Sequence, residues 1–131
     1  MSERVAGRPN AKENGMGKVL LVLNDPPYGT ERSYNGLRLA ASLARREEQV
    51  FVFLIGDAAS CAKRGQQTPQ GYYNLEVMLR AAGRHGAQIG VCGSCLDARG
   101  IAESELVEAT KRSSMDELAD WTVAADKVIT F

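Results

Sequence analysis

Lys18-Val19-Leu20-Leu21-Val22-Leu23-Asn24-Asp25-Pro26-Pro27 is the stretch that decides the fold class. Val19 to Leu23 is apolar at every position, so no alternating polar face is left to meet water, and a strand of this kind is buried on both sides. Asn24-Asp25-Pro26-Pro27 stops it. Between Glu31 and Arg46, Leu37, Leu39, Ala40, Leu43 and Ala44 recur at roughly helical spacing, which predicts an amphipathic helix that ends wet at Arg45-Arg46-Glu47-Glu48. The same sentence is then written again. Val50-Phe51-Val52-Phe53-Leu54-Ile55 reads as a second buried strand, closed by Gly56-Asp57.

From Asp57 to Gly71 the residues turn small and polar and predict a flexible surface loop. Leu75, Val77, Met78, Leu79 and Ala82 restore helical spacing over Tyr72 to Arg84, with Gly83 and Gly86 placed to end that helix. Ala87 to Val91 predicts a third strand. Leu106-Val107 reads as part of a short fourth, and Lys127 to Phe131 as a fifth. Between these last two, Ser114 is the expected N-cap of a helix over Asp116 to Ala124, and Glu117 three residues on completes a capping box. Strands alternating with helices imply βαβ units: an α/β domain with a mostly parallel sheet covered on both faces and a ligand edge at the strands' carboxyl ends.

Residues 1–17 lack either period and are expected to form a mobile tail, which leaves 18–131 as the α/β domain. A chain of 131 residues fits one such domain, and its 44% hydrophobic and 24% charged residues are those of a globular protein. Sixteen Lys and Arg balance sixteen Asp and Glu, which argues against a nucleic-acid partner, because phosphates must be neutralised by an excess of cations. No apolar run has the length of a membrane span and no signal peptide precedes the first strand, so a cytoplasmic protein is expected. Cys61, Cys92 and Cys95 are an odd number and do not suggest a disulfide framework.

The strongest chemical signal is Val91-Cys92-Gly93-Ser94-Cys95-Leu96-Asp97-Ala98-Arg99-Gly100, where the third strand leaves the sheet at its ligand edge. A lone cysteine there serves equally well as a small apolar filler; two at C-x-x-C spacing favour thiol chemistry. Backbone N–H groups of the turn and the Arg99 cation are expected to favour the Cys92 thiolate, with Cys95 able to resolve an adduct formed on Cys92. One C-x-x-C, a distant Cys61 and the single His85 do not make a four-ligand zinc site, so no metal is expected. Gly29-Thr30 lacks a fuller phosphate loop, and no cofactor is expected. Tyr28, in the loop after the first strand, and Arg32, at the start of the helix, are candidates to shape an anion-tolerant pocket at the same edge. The competing readings are loop packing for Tyr28 and a solvated charge for Arg32. Tyr72 and Tyr73 are expected to anchor the long loop to the core or to a neighbouring subunit. Trp121 reads as core, His85 as a solvated turn residue, Asp25 and Asp97 as turn and cap residues, and Cys61 as incidental.

Three blocks in order, Asn24 to Arg32, Gly65 to Asn74 and Cys92 to Gly100, resemble the DsrE/DsrF-like sulfur-relay family over Lys18 to Phe131. The resemblance implies a flavodoxin-like three-layer α/β fold with about five strands. It also implies assembly into a homotrimer or homohexamer, and a persulfide carried on the cysteine that Cys92 matches. In the TusD-type carriers of this family the position of Cys95 is not a cysteine, so this chain departs from the simple carrier. The leading expectation is sulfur relay: Cys92 accepts sulfane sulfur from a donor protein and passes it to an acceptor, with Cys95 resolving. A C-x-x-C dithiol oxidoreductase and a non-catalytic small-molecule-binding or assembly subunit stay open beside it.

Overall fold

In the computed structural model, which describes residues 17–131, the apolar runs lie side by side in one five-stranded parallel sheet. The expected tail, but for Gly17, lies outside the described residues. The strands are β1 (Lys18–Leu23), β2 (Gln49–Leu54), β3 (Gln88–Cys92), β4 (Thr110–Ser113) and β5 (Lys127–Thr130), in the spatial order β4-β3-β2-β1-β5. The helices are α1 (Arg32–Arg45), α2 (Leu75–Arg84), α3 (Gly93–Ala98) and α4 (Met115–Ala124). The two continuous apolar runs, β1 and β2, take the inner positions, where both faces need covering.

Side-chain alternation sorts each strand between two cores. Val19, Leu21 and Leu23 of β1, Val50, Val52 and Leu54 of β2, and Ile89 and Val91 of β3 pack with Leu37 and Ala40 of α1 and Leu75 and Leu79 of α2. Leu20, Phe53 and Cys92 face the other way, beneath Leu118 and Trp121 of α4. Among the described residues that second face is thinly covered. α4 buries none of its own residues, Val123 is 86% exposed, and Val128 on β5 is 46% exposed. Trp121, read from sequence as core, is a half-buried lid tilted over Phe51 and edge-on to Phe53.

Four expectations are corrected. The stretch after β2 is not a surface loop throughout: Gly56–Ala62 forms a 3-10 helix with Ala58, Ala59, Cys61 and Ala62 fully buried. Small side chains that resembled a loop composition are what allow a backbone segment to lie directly on the core. The fourth strand is Thr110–Ser113 and not Leu106-Val107; Leu106 makes only an isolated antiparallel bridge to Lys63, while Val107 is a buried plug whose N–H reaches Ala62 O. α2 starts at Leu75 and not Tyr72, because Asn74 takes the N-cap and accepts from Val77 N–H. Ser114 caps α4 by accepting from Glu117 N–H, but the Glu117 carboxylate does not complete the box; it accepts from Ser113 Oγ and pairs with Lys111 Nζ. Among the described residues no helix is long and apolar enough to cross a membrane.

Candidate functional site

Cys92 is the last residue of β3 and the N-cap position of α3, so the sheet fixes its Cα while the chain turns away above it. Cys95 lies in the first turn of α3, and the turn folds its sulfur back toward Cys92. The Cys95 thiol donates to Cys92 Sγ across 2.8 Å, and the Ser94 hydroxyl lies 3.4 Å from the same sulfur. All three cysteines are free thiols.

The environment separates the two thiols. Burial pushes the Cys92 thiol up, but hydrogen bonds from the Cys95 thiol, the Ser94 hydroxyl and the backbone N–H groups of Cys95 and Ser94 outweigh it and hold Cys92 below the ordinary thiol value. Burial also pushes Cys95 up. Donation to Cys92 adds to that, and the Gly56 N–H, 3.2 Å from Cys95 Sγ, and the Arg99 cation only partly oppose it. Of the two, Cys92 is therefore the thiol that ionises first, and Cys95 keeps its proton to higher pH.

Two arginines flank the pair. Arg99 donates to the Cys95 carbonyl at 3.1 Å and pairs with Asp57 Oδ1 at 2.6 Å, so it belongs to Cys95 and to the start of the 3-10 helix. Arg112 of β4 was not a candidate from sequence. It grips Asp97 of α3 with both terminal nitrogens at 2.9 Å and lies against Gly93, the residue after Cys92. No local pattern marks Lys111-Arg112-Ser113; only the pairing of β3 with β4 brings Arg112 to the turn that follows Cys92. Asp97, read as a turn residue, is the partner that orients Arg112, and those hydrogen bonds hold its carboxyl below the usual range.

Tyr28, Arg32 and Tyr73 are gathered elsewhere. Tyr28 Oη donates to Gln66 Oε1 at 2.6 Å and accepts from Leu75 N–H at 3.1 Å, which ties the loop after β1 to the start of α2. Gln66 in turn donates to the carbonyls of Cys61 and Lys63. Tyr73 stacks on Tyr34 at 4.1 Å and also meets Tyr28 and Tyr72, so all four tyrosines of the chain form one aromatic cluster. Arg32 is exposed and 3.9 Å from Asp25. Among the described residues no hydrogen bond, ion pair or ring contact of these three reaches Cys92 or Cys95. Cys61 is buried with its thiol directed to Asp25 O, and burial pushes it up to about 12, out of reach of nucleophilic chemistry at neutral pH. A cavity of about 660 Å³ between α1 and α2, lined by Arg38, Arg45, Met78 and His85 among others, includes neither thiol. Among the described residues no cluster of three metal-ligating side chains occurs.

Comparison with known proteins gives a consistent result. A model of the DsrE/DsrF-like family matches residues 17–131. Protein YchN of Escherichia coli K12 is 38% identical over 118 residues, spanning 88% of this chain and 100% of YchN. The uncharacterized protein MK0008 of Methanopyrus kandleri is 34% identical over 117 residues, spanning 89% of this chain and 96% of that protein. The crystal structure of E. coli YchN superposes with a TM-score of 0.84 over 88% of this chain and 100% of that one. A protein of unknown function from Methanobacterium thermoautotrophicum, MTH1491, superposes at 0.71 with 13% identity over 88% of this chain and 99% of its own, a likeness of fold alone.

Proposed function

Because the chain belongs to the DsrE/DsrF-like family, we propose that it is a sulfur carrier that holds sulfane sulfur as a persulfide on Cys92. The observation that carries this reading is the 2.8 Å approach of the Cys95 thiol to Cys92 Sγ, with Cys92 held below and Cys95 above the ordinary thiol value. In loading, the Cys92 thiolate attacks the sulfane sulfur of a donor. A Cys92 Sγ–S bond forms, the donor's bond to that sulfur breaks, and the donor departs with the electron pair. Release has two routes. An acceptor thiolate takes the outer sulfur and restores the Cys92 thiolate, or the Cys95 thiolate attacks Cys92 Sγ, forms the disulfide and expels hydrosulfide. Arg99, beside Cys95, favours the second route by stabilising the Cys95 thiolate as it forms.

Assembly and location belong to the same reading. Members of this family form oligomers and work with partner proteins; here a homotrimer or homohexamer, with sulfur donor and acceptor proteins as partners, is the proposal. A cytoplasmic location belongs to the proposal, because a thiol pair that must stay available for sulfur chemistry persists in a reducing compartment. The same sulfur separation favours a second reading, a dithiol oxidoreductase in which Cys92 and Cys95 cycle through a disulfide. Intact-mass spectrometry after treatment with a sulfane donor separates the two. Carriage predicts one added sulfur, lost in Cys92→Ser and retained in Cys95→Ser. Disulfide reductase turnover that vanishes in Cys95→Ser, with no sulfur added to either cysteine, would establish the oxidoreductase instead.

A further inference from the structure

Each thiol of the site has its own arginine, and each arginine is braced by its own aspartate: Arg99 by Asp57 beside Cys95, and Arg112 by Asp97 beside the turn that follows Cys92. In the β3–β4 register Arg112 lies opposite Val91 and Ser113 opposite Cys92, and the Arg112 guanidinium meets Asp97 and Gly93 in the turn that follows Cys92. A guanidinium fixed through both terminal nitrogens on Asp97, with Nε 4.0 Å from Glu103, does not swing freely. Gly93 is what lets it come so near. A Cβ at position 93 would lie 2.9 Å from the Arg112 Cζ and Nε and 3.0 Å from Nη2, so any larger residue there displaces the guanidinium.

The grip on Asp97 uses one N–H of each terminal nitrogen and leaves the second N–H of each for a ligand. Asp97 and Glu103 together cancel the long-range field of the cation, but directed hydrogen-bond donation to an anion survives pairing because it acts at contact distance. The Arg112 side chain is 38% exposed and so meets solvent beside the turn that follows Cys92. Arg99 is not equivalent, since its contacts are to the Cys95 carbonyl and to Asp57.

We propose that Arg112 is the specificity residue of the Cys92 site, selecting electrophiles that carry negative charge beside the atom under attack. For sulfur loading this selects a sulfane donor whose leaving group is anionic, whether that group is free or presented by a donor protein. This substrate class rests on the persulfide reading; the charge preference itself does not. The Cys92 thiolate attacks the sulfane sulfur, the new Sγ–S bond forms, and the leaving group departs with the electron pair as an anion whose growing charge Arg112 binds. No external oxidant or reductant enters.

The test compares alkylation of Cys92 by iodoacetate, an anion, with iodoacetamide, its neutral analogue, read by peptide mapping of the full chain. Both reagents form the same thioether linkage and expel iodide, so their rate ratio isolates charge. Arg112→Gln is expected to lower the iodoacetate-to-iodoacetamide ratio about tenfold, the size of one charge-assisted hydrogen bond. Arg45→Gln, which removes the same charge from a distant helix, is expected to leave it unchanged. Gly93→Ala, which keeps the arginine but displaces it, should lower the ratio in the same direction and serves where Arg112→Gln does not fold. A ratio unchanged in both site variants, equal slowing of both reagents, or an equal fall in Arg99→Gln or Arg45→Gln would overturn the proposal. Persulfide formation without this selectivity removes Arg112's role and leaves carriage standing; selectivity without persulfide formation does the reverse.

Discussion

Cys92 and Cys95 are chemically identical side chains three residues apart, yet their surroundings drive their acidities in opposite directions. Both lose solvation, which favours the thiol; what differs is who donates to whom. Cys92 receives hydrogen bonds from a thiol, a hydroxyl and two turn N–H groups, while Cys95 gives its own proton to Cys92 and receives one N–H, from Gly56. The rate of Cys92 alkylation by a neutral reagent should therefore rise through a midpoint below the ordinary thiol value of about 8.5. Cys95→Ala deletes a donor to the thiolate, so the midpoint should move up in pH. A Cys92 midpoint at the ordinary value in the unmodified protein, or one that stays put in Cys95→Ala, would show that the neighbour does not activate the nucleophile.

The elements are positioned by close backbone approaches as much as by large side chains. Gly83 was expected to end α2, but it lies inside the helix, and the chain turns only at Gly86, whose φ of 96° suits glycine. Its role is contact: a Cβ at position 83 would stand 2.4 Å from Ala109 Cβ, in the turn that leads into β4. Helix propensity alone says that Gly83→Ala should stabilise α2 by about 1 kcal/mol. Overpacking of about 1–3 kcal/mol opposes it and wins, because Ala109 has no flexible end to move aside. Urea unfolding should show Gly83→Ala to be destabilised and Gly83→Ala with Ala109→Gly to recover much of the loss. A more stable single variant would mean the approach is looser than the geometry describes.

At the scale of the whole molecule the two sheet faces are unequal: among the described residues α1, α2 and the 3-10 helix lie over one and α4 alone over the other. Parallel sheets are normally covered on both faces, and the exposed Val123 and Val128 on the thin side give a second copy something apolar to bury. Light scattering at micromolar concentration should give the mass of a trimer or hexamer, and Val128→Lys should shift it toward monomer; a monomer throughout would overturn the assembly. The sequence by itself determined the α/β class, four of the five strands and the thiol pair, since apolar runs of strand length, helical spacing and C-x-x-C are all local patterns. Short-range burial decides them, so they are written where they act. Only the tertiary structure decided that the small residues of Gly56–Ala62 are core, that the fourth strand is Thr110–Ser113, that Tyr28 joins the tyrosine cluster and not the thiols, and that Arg112 lies against Gly93, the residue after Cys92. Each of those depends on which strand lies next to which, and strand adjacency is settled by packing between residues far apart in the chain, where no local pattern records the partner.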